Sequence, residues 1–200
     1  MSTFSGSYTS LTSSGGTQLF TLNDDASSSF TAPFAFTYDT KNFSSGVTIG
    51  VSSNGFLAWG STVSAVPNSS QYGWADGVAY AICPINSDLV SYVYYQTQGS
   101  APNRKLVVEW YQYYIWPSSS TSMVQMQAYE GTNVIEFLYF NHSFNYSNSF
   151  GSDPPYIRIG LNGGTPSTDN KMYTVSGTST PPTDLRFTPI PPINVQLGVT

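Results

Sequence analysis

Residues 47–59 read Val-Thr-Ile-Gly-Val-Ser-Ser-Asn-Gly-Phe-Leu-Ala-Trp. Val47, Ile49 and Val51 alternate with Thr48, Gly50 and Ser52, the period of two that turns one face of a strand toward a core and the other toward water. Asn54-Gly55 then supplies the residue types that accept positive φ, as the tight turn of a hairpin requires, before the apolar run Phe56–Trp59. An antiparallel strand pair is predicted here.

The pattern repeats downstream. Val78–Ile82, Tyr92–Gln96 and Leu106–Trp116 read as strands, the last two joined by the turn-rich Gly99-Ser100-Ala101-Pro102-Asn103. In Leu106–Trp116 the even positions Leu106, Val108, Trp110, Tyr114 and Trp116 are mostly apolar, which assigns Trp110 to the core. Val124, Met126 and Ala128 alternate with Gln125, Gln127 and Tyr129, and Gly131-Thr132-Asn133 turns the chain into Val134–Phe140. Ile157, Ile159 and Leu161 form one more inward face. No window of ten or more residues keeps apolar positions at helical spacing without interruption, so helix is expected to be minimal.

About eight to twelve strands separated by polar turns predict an all-β fold, an antiparallel two-sheet β-sandwich of jelly-roll-like kind with extended termini. Residues 1–29, rich in Ser, Thr and Gly, read as an N-terminal arm or short edge strands, and residues 30–180 as the sandwich. Within the sandwich, residues 61–77 read as a long loop. Residues 181–200 carry Pro181, Pro182, Pro189, Pro191 and Pro192 and read as an extended tail, because proline cannot donate to a ladder.

Composition narrows the function classes. The 200 residues suffice for one domain with a real core, and 40% hydrophobic content with 16% aromatics offsets the entropy of ordering the chain. Only 8% of residues are charged and the net charge is −5, so no face has the cationic density that a phosphate backbone demands; nucleic acid is not an expected partner. No run approaches the length of a membrane span. The opening Met-Ser-Thr-Phe-Ser-Gly lacks the basic and apolar regions of a signal peptide, which predicts earlier processing or release by lysis rather than export. Cys83 is the single cysteine, which excludes an internal disulfide and a cysteine-based metal cluster and reads as a small buried apolar residue.

Candidate sites are few. Glu109, Glu130 and Glu136 are the glutamates from which a glycoside-hydrolysing pair could be drawn, but their places in strands and beside a turn favour structural roles. Asn23, Asp24 and Asp25 form an oxygen-rich cluster that could take part in holding calcium, although the spacing matches no EF-hand loop and a hard cation wants six to eight oxygens. Asp88 reads as a turn residue. The lone His142 sits in an apparent loop, with no nucleophile elbow, phosphate loop or dinucleotide fingerprint in the chain. Trp59, Trp110, Trp116, Tyr111, Tyr113 and Tyr114 are either a sugar-stacking platform or core and cross-strand pairs, while Tyr72 and Trp74, in a predicted loop, are the better ligand-binding candidates. Asn-x-Ser sequons at Asn42, Asn68, Asn141 and Asn145 are glycan acceptors only in a glycosylating secretory route.

Six phrases in order carry a family resemblance: Ala-Pro-Phe-Ala-Phe-Thr-Tyr (32–38), Val-Ser-Ser-Asn-Gly-Phe-Leu-Ala-Trp-Gly (51–60), Ala-Ile-Cys-Pro-Ile-Asn-Ser-Asp-Leu (81–89), Ala-Pro-Asn-Arg-Lys-Leu-Val-Val-Glu-Trp (101–110), Ala-Tyr-Glu-Gly-Thr-Asn-Val-Ile-Glu-Phe (128–137) and Ile-Arg-Ile-Gly-Leu-Asn-Gly-Gly (157–164). The set resembles a β-sandwich module related to the extracellular nidogen-type domain, of the type that recurs in large surface proteins of Bacteroidetes-like bacteria and some of their phages. The resemblance implies an extracellular, cell-surface or virion-surface module, structural or adhesive, without established catalytic residues. The expected partners are copies of the chain itself or other assembly subunits, with surface glycans as the alternative. The expected function is therefore a non-enzymatic subunit of a filament, sheath, capsid decoration or fibre that assembles through sheet faces or terminal strand exchange. A carbohydrate-binding or adhesive module using loop aromatics is the alternative.

Overall fold

The computed structural model describes residues 1–65, 75, 77–115, 121–141, 157–165, 170–175 and 183–189. In chain order these form β1 (Ser2–Thr3), the single helical turn α1 (Leu11–Ser14), β2 (Thr17–Asn23), β3 (Ser27–Thr31), β4 (Phe36–Tyr38), β5 (Lys41–Phe43), β6 (Thr48–Ser52) and β7 (Phe56–Trp59). They continue as β8 (Ala81–Asn86), β9 (Leu89–Gln98), β10 (Lys105–Ile115), β11 (Ser122–Tyr129), β12 (Ile135–Phe140), β13 (Ile157–Asn162), β14 (Asn170–Val175) and β15 (Leu185–Phe187).

A seven-stranded sheet runs β1-β15-β12-β11-β10-β9-β2, a six-stranded sheet runs β14-β13-β8-β7-β6-β3, and β4-β5 stand as a separate hairpin. The named strands pair antiparallel throughout. The likeness to a jelly roll lies in the two packed sheets. Strand order is built from meanders, β6-β7-β8 in one sheet and β9-β10-β11-β12 in the other.

One core joins the sheets. Ile49, Val51, Leu57 and Ile82 from the six-stranded sheet meet Val93, Leu106, Val108, Trp110, Val124, Met126 and Phe137 from the seven-stranded sheet, all essentially without solvent contact. Polar bonds fix the mutual placement. The Trp110 indole N–H donates to Ser52 O at 2.8 Å, and Ser91 Oγ donates to Ser53 O at 2.9 Å. Phe30 stacks on Tyr95 with ring centroids 4.1 Å apart.

The decisive hairpin forms as its sequence predicts, with Ser52 opposite Phe56 and Gly55 at φ +76°. A side chain at Gly55 would run into the backbone carbonyl of Ile85, so position and conformation both demand glycine. Asn54 holds the turn: its Oδ1 accepts from Leu89 N at 2.8 Å and its Nδ2 donates to Asp25 Oδ1 at 2.9 Å.

Three features depart from the sequence reading. Both faces of β6 are buried, because Ser61–Val63 lie against Gly50 on the side expected to meet water. Behind that face Phe56, Ala75, Ala81 and Cys83 make a second, small apolar cluster with Val63 and Val78. In β10 the inward alternation fails after Trp110: Gln112 takes φ +49° and the register shifts, so Tyr113 points into the core and Tyr114 is left half-buried. A bulge inserts one residue and so inverts the facing of all that follow. Within the segment read as a tail, the proline-free Leu185–Phe187 pairs on both sides, with β1 and with β12.

Candidate functional site: a terminal arm on a buried carboxylate

The outer face of the seven-stranded sheet carries polar side chains that are nevertheless out of solvent: Glu109, Gln125, Gln127 and Glu136 are all at most 5% exposed. Strand register sets them side by side. Glu109 lies opposite Gln125, Gln127 opposite Glu136, and Glu136 opposite Arg186. Alternation alone would put Gln125 and Gln127 in water; the N-terminal arm bonds Gln125, and Lys105 and Tyr129 close on Gln127.

The arm runs back across this face. Tyr8 OH donates to Glu109 Oε1 through a short bond, Ser10 Oγ to Oε2 at 3.2 Å, and Leu11 N to Oε2 at 2.8 Å. Gln125 Nε2 donates to Glu109 Oε1 at 3.1 Å and to the arm carbonyl of Thr9 at 2.8 Å. Glu109 is thus satisfied by four donors, three of them from the arm, with no cation among them. Hydrogen bonding of this density makes a buried carboxylate tolerable. Burial pushes the Tyr8 phenol far above its ordinary range, and the hydrogen bond to Glu109 adds to the rise.

Local sequence explains the arm's end. Ser10 caps α1 by accepting from Thr12 N, and Gly15 at φ +83° closes the turn with a left-handed residue. Leu11 is thereby held fully buried. Nearer the start, Gly6 N donates to Asp184 Oδ2 at 2.7 Å and Phe4 N to Asp184 O at 3.0 Å, while Asp184 Oδ1 accepts from Tyr139 N. Asp184 therefore ties arm and β12 together. Tyr8 stacks on Phe140 at 4.8 Å, and the Arg186 guanidinium lies 4.4 Å over the Phe4 ring.

The polar row continues inward from the arm. Gln127 Nε2 donates to Gln125 Oε1 at 3.0 Å, Lys105 Nζ to Gln127 Oε1 at 3.1 Å, and Tyr129 OH to Glu136 Oε2 at 2.7 Å. Arg186 closes it on Glu136 Oε1 at 2.6 Å. Burial, and then the Glu136 hydrogen bond, raises the Tyr129 phenol. Burial lowers the Lys105 ammonium, with Glu136 acting in the opposite sense.

The three glutamates singled out in the sequence each have a structural partner. Glu130 takes Arg104 in a forked pair, Nε to Oε2 at 2.7 Å and NH2 to Oε1 at 2.6 Å; Glu136 takes Arg186; Glu109 takes the arm. Trp59, Trp110 and Tyr113 are core. Tyr111 instead stays half-buried, meeting Tyr92 and Tyr94 edge-on at 6.4 and 6.2 Å, two neighbours that alternation on β9 could have flagged. Tyr72, Trp74, Trp116 and His142 lie outside the described residues. Asn42 and Asn141 are exposed, whereas Asn68 and Asn145 lie outside the described residues.

At the calcium candidate, Asn23 ends β2 opposite Ser91. Asp24 and Asp25 are joined by Asp88, with an oxygen of each within 4.8 Å of the others. Asp88 had read as a turn residue, and only folding reveals it as a neighbour of residues far away in sequence. Burial and then the charges of Asp24 and Asp25 push its carboxyl up to about 6. Three carboxylates fall short of the oxygen shell that a hard cation takes.

The fold and this arrangement define an all-β module whose buried polar groups hold the chain's own terminus. A family model described as nidogen-related matches residues 1–192, so the chain belongs to the nidogen-related family, a non-catalytic type of extracellular domain. No curated protein and no solved structure matches the chain significantly.

Proposed function

We propose that the chain is a structural subunit of an extracellular or virion-surface assembly, such as a filament, sheath, capsid decoration or fibre, joined to its neighbours through sheet faces or terminal strands. One observation carries this reading. Both ends of the described chain meet at one edge of the seven-stranded sheet, where β15 contributes three residues and β1 only two against the six-residue β12. An edge this short pairs β12 with β15 only as far as Phe137 and leaves the outer side of β1 for another chain. Light scattering over a concentration series with electron microscopy of the intact chain tests it: ordered particles or filaments are expected, and a monomer at every concentration overturns it.

A second reading, glycan binding, is supported by the half-buried Tyr92–Tyr111–Tyr94 group, since phenol rings pack on sugar faces and offer hydroxyls. Tyr72 and Trp74 remain proposed for the same role. Loss of binding on a glycan panel by Tyr111→Ala or Trp74→Ala with unchanged melting is the expected result; an intact chain that binds nothing on the panel removes this reading.

A further inference from the structure

We infer that the N-terminal arm, residues 1–11, is an exchangeable element whose seat on the outer face of the seven-stranded sheet accepts the same arm from a second copy of the chain. The inference rests on the assembly reading above and names the segment and its receptor.

The seat is specific for this segment. Glu109 is wholly out of solvent and depends for three of its four donors on Tyr8, Ser10 and Leu11. With the arm gone, Glu109 loses three donors and Gln125 loses the Thr9 carbonyl, and a charge stripped of its partners inside a fold is strongly destabilising. A copy's arm restores each bond because it is the same sequence. Gly6 passes so close over Leu138 that a Cβ there would come within 2.9 Å of Leu138 Cδ2, and Asp184 reads the Gly6 amide at 2.7 Å. Position along the arm is therefore set at two separate points. Residues 1–23 carry no charged side chain, so like-charge repulsion within this segment does not oppose arms crossing between copies.

Departure of the arm leaves the strand order of the described core intact, and what it takes from Glu109 the arm of a second copy returns. Among the described residues the arm pairs in a sheet through Ser2 and Thr3 alone, and those pair only with β15. Its departure breaks no pairing between the remaining strands. Exchange reproduces every contact that the folded-back arm makes, so the balance between the two forms is governed by protein concentration and the cost of association. On a surface where copies are held side by side, effective concentration favours the exchanged form.

Cross-linking between Ser7 and Phe140, two exposed positions beside the stacked Tyr8–Phe140 pair, tests the exchange. The buried Cys83 is first replaced by alanine. Ser7→Cys and Phe140→Cys are then made in separate chains and also together in one chain, and each sample is treated with a short bis-maleimide. Exchange is expected to give a covalent heterodimer when the two single variants are mixed, in a yield that grows with concentration. If the mixed variants stay monomeric while the double variant links within one chain and the intact protein still assembles, arm exchange is overturned and assembly proceeds by another surface. If the intact protein fails to assemble and only the within-chain link forms, both readings are overturned.

Discussion

The backbone N–H of Leu11 donates to Glu109 Oε2 at 2.8 Å across 98 positions of the chain. This bond and those from Tyr8 and Ser10 tie the N-terminal arm to β10, the tenth strand in chain order. The consequence is a long-range latch whose strength is measurable at single atoms.

Tyr8→Phe deletes one hydrogen bond to an ionised acceptor and keeps the ring on Phe140. A loss of about 1–2 kcal/mol in urea unfolding is expected, at the lower part of the range for bonds to charged groups because Tyr8 is only partly buried. Hydrogen exchange at the Leu11 amide should accelerate well beyond that at the core strands. Unchanged Leu11 protection would show that the Tyr8 bond does not hold the arm.

Arg186→Ala leaves Glu136, 6% exposed on its side chain, with the Tyr129 hydroxyl as its donor among the described residues. Arg186 itself is 42% exposed, so the cost is expected to be about 2 kcal/mol, below that of breaking a fully buried pair. Glu136→Gln added to Arg186→Ala should recover part of the loss, because it removes the orphaned charge. A double variant no more stable than Arg186→Ala alone would place the cost in the lost stacking on Phe4 instead.

Asp88 has a folded-state value of about 6 against 3.8 for the free side chain. Between these values the folded chain binds more protons than the unfolded one, so stability present below about pH 4 is lost as pH rises through about 6. Asp88→Asn is expected to raise stability by about 1 kcal/mol at about pH 7.5, a figure reduced for the half-exposed setting, and to change little at about pH 4. Thermal melts at the two pH values check this; an equal effect at both would mean that charge is not the cause.

Gly55→Ala must hold a left-handed turn while its methyl meets the Ile85 carbonyl. Strain of about 1–2 kcal/mol from the conformation alone, with the steric conflict added, is expected to lower the yield of folded protein sharply. Gly15→Ala shares the positive φ but faces open space, so it should cost only the conformational part. Equal losses in denaturant titrations of the two variants would remove the contact with Ile85 as the reason.

Some of this was legible in the residues. Val124, Met126 and Ala128 point inward as their alternation with polar neighbours requires, and Asn54-Gly55 makes the hairpin it predicts. Asp24 and Asp25 stood out as an acidic pair, yet nothing local connects them with Asp88, because that proximity arises only when β9 comes to lie beside β2. Glu109 was visible as a strand carboxylate, but its donors come from an arm whose Ser- and Gly-rich sequence has no periodicity to follow.

By itself the sequence determined the hairpin at Asn54-Gly55, the all-β class and the scarcity of helix, since these depend on side-chain alternation and backbone preference between near neighbours. Tertiary structure alone decided that Gln125 and Gln127 are buried, that Tyr113 rather than Tyr114 enters the core, and that Leu11 reaches Glu109. Burial of a polar face depends on what covers it, and the covering segment is joined to that face by folding, not by sequence.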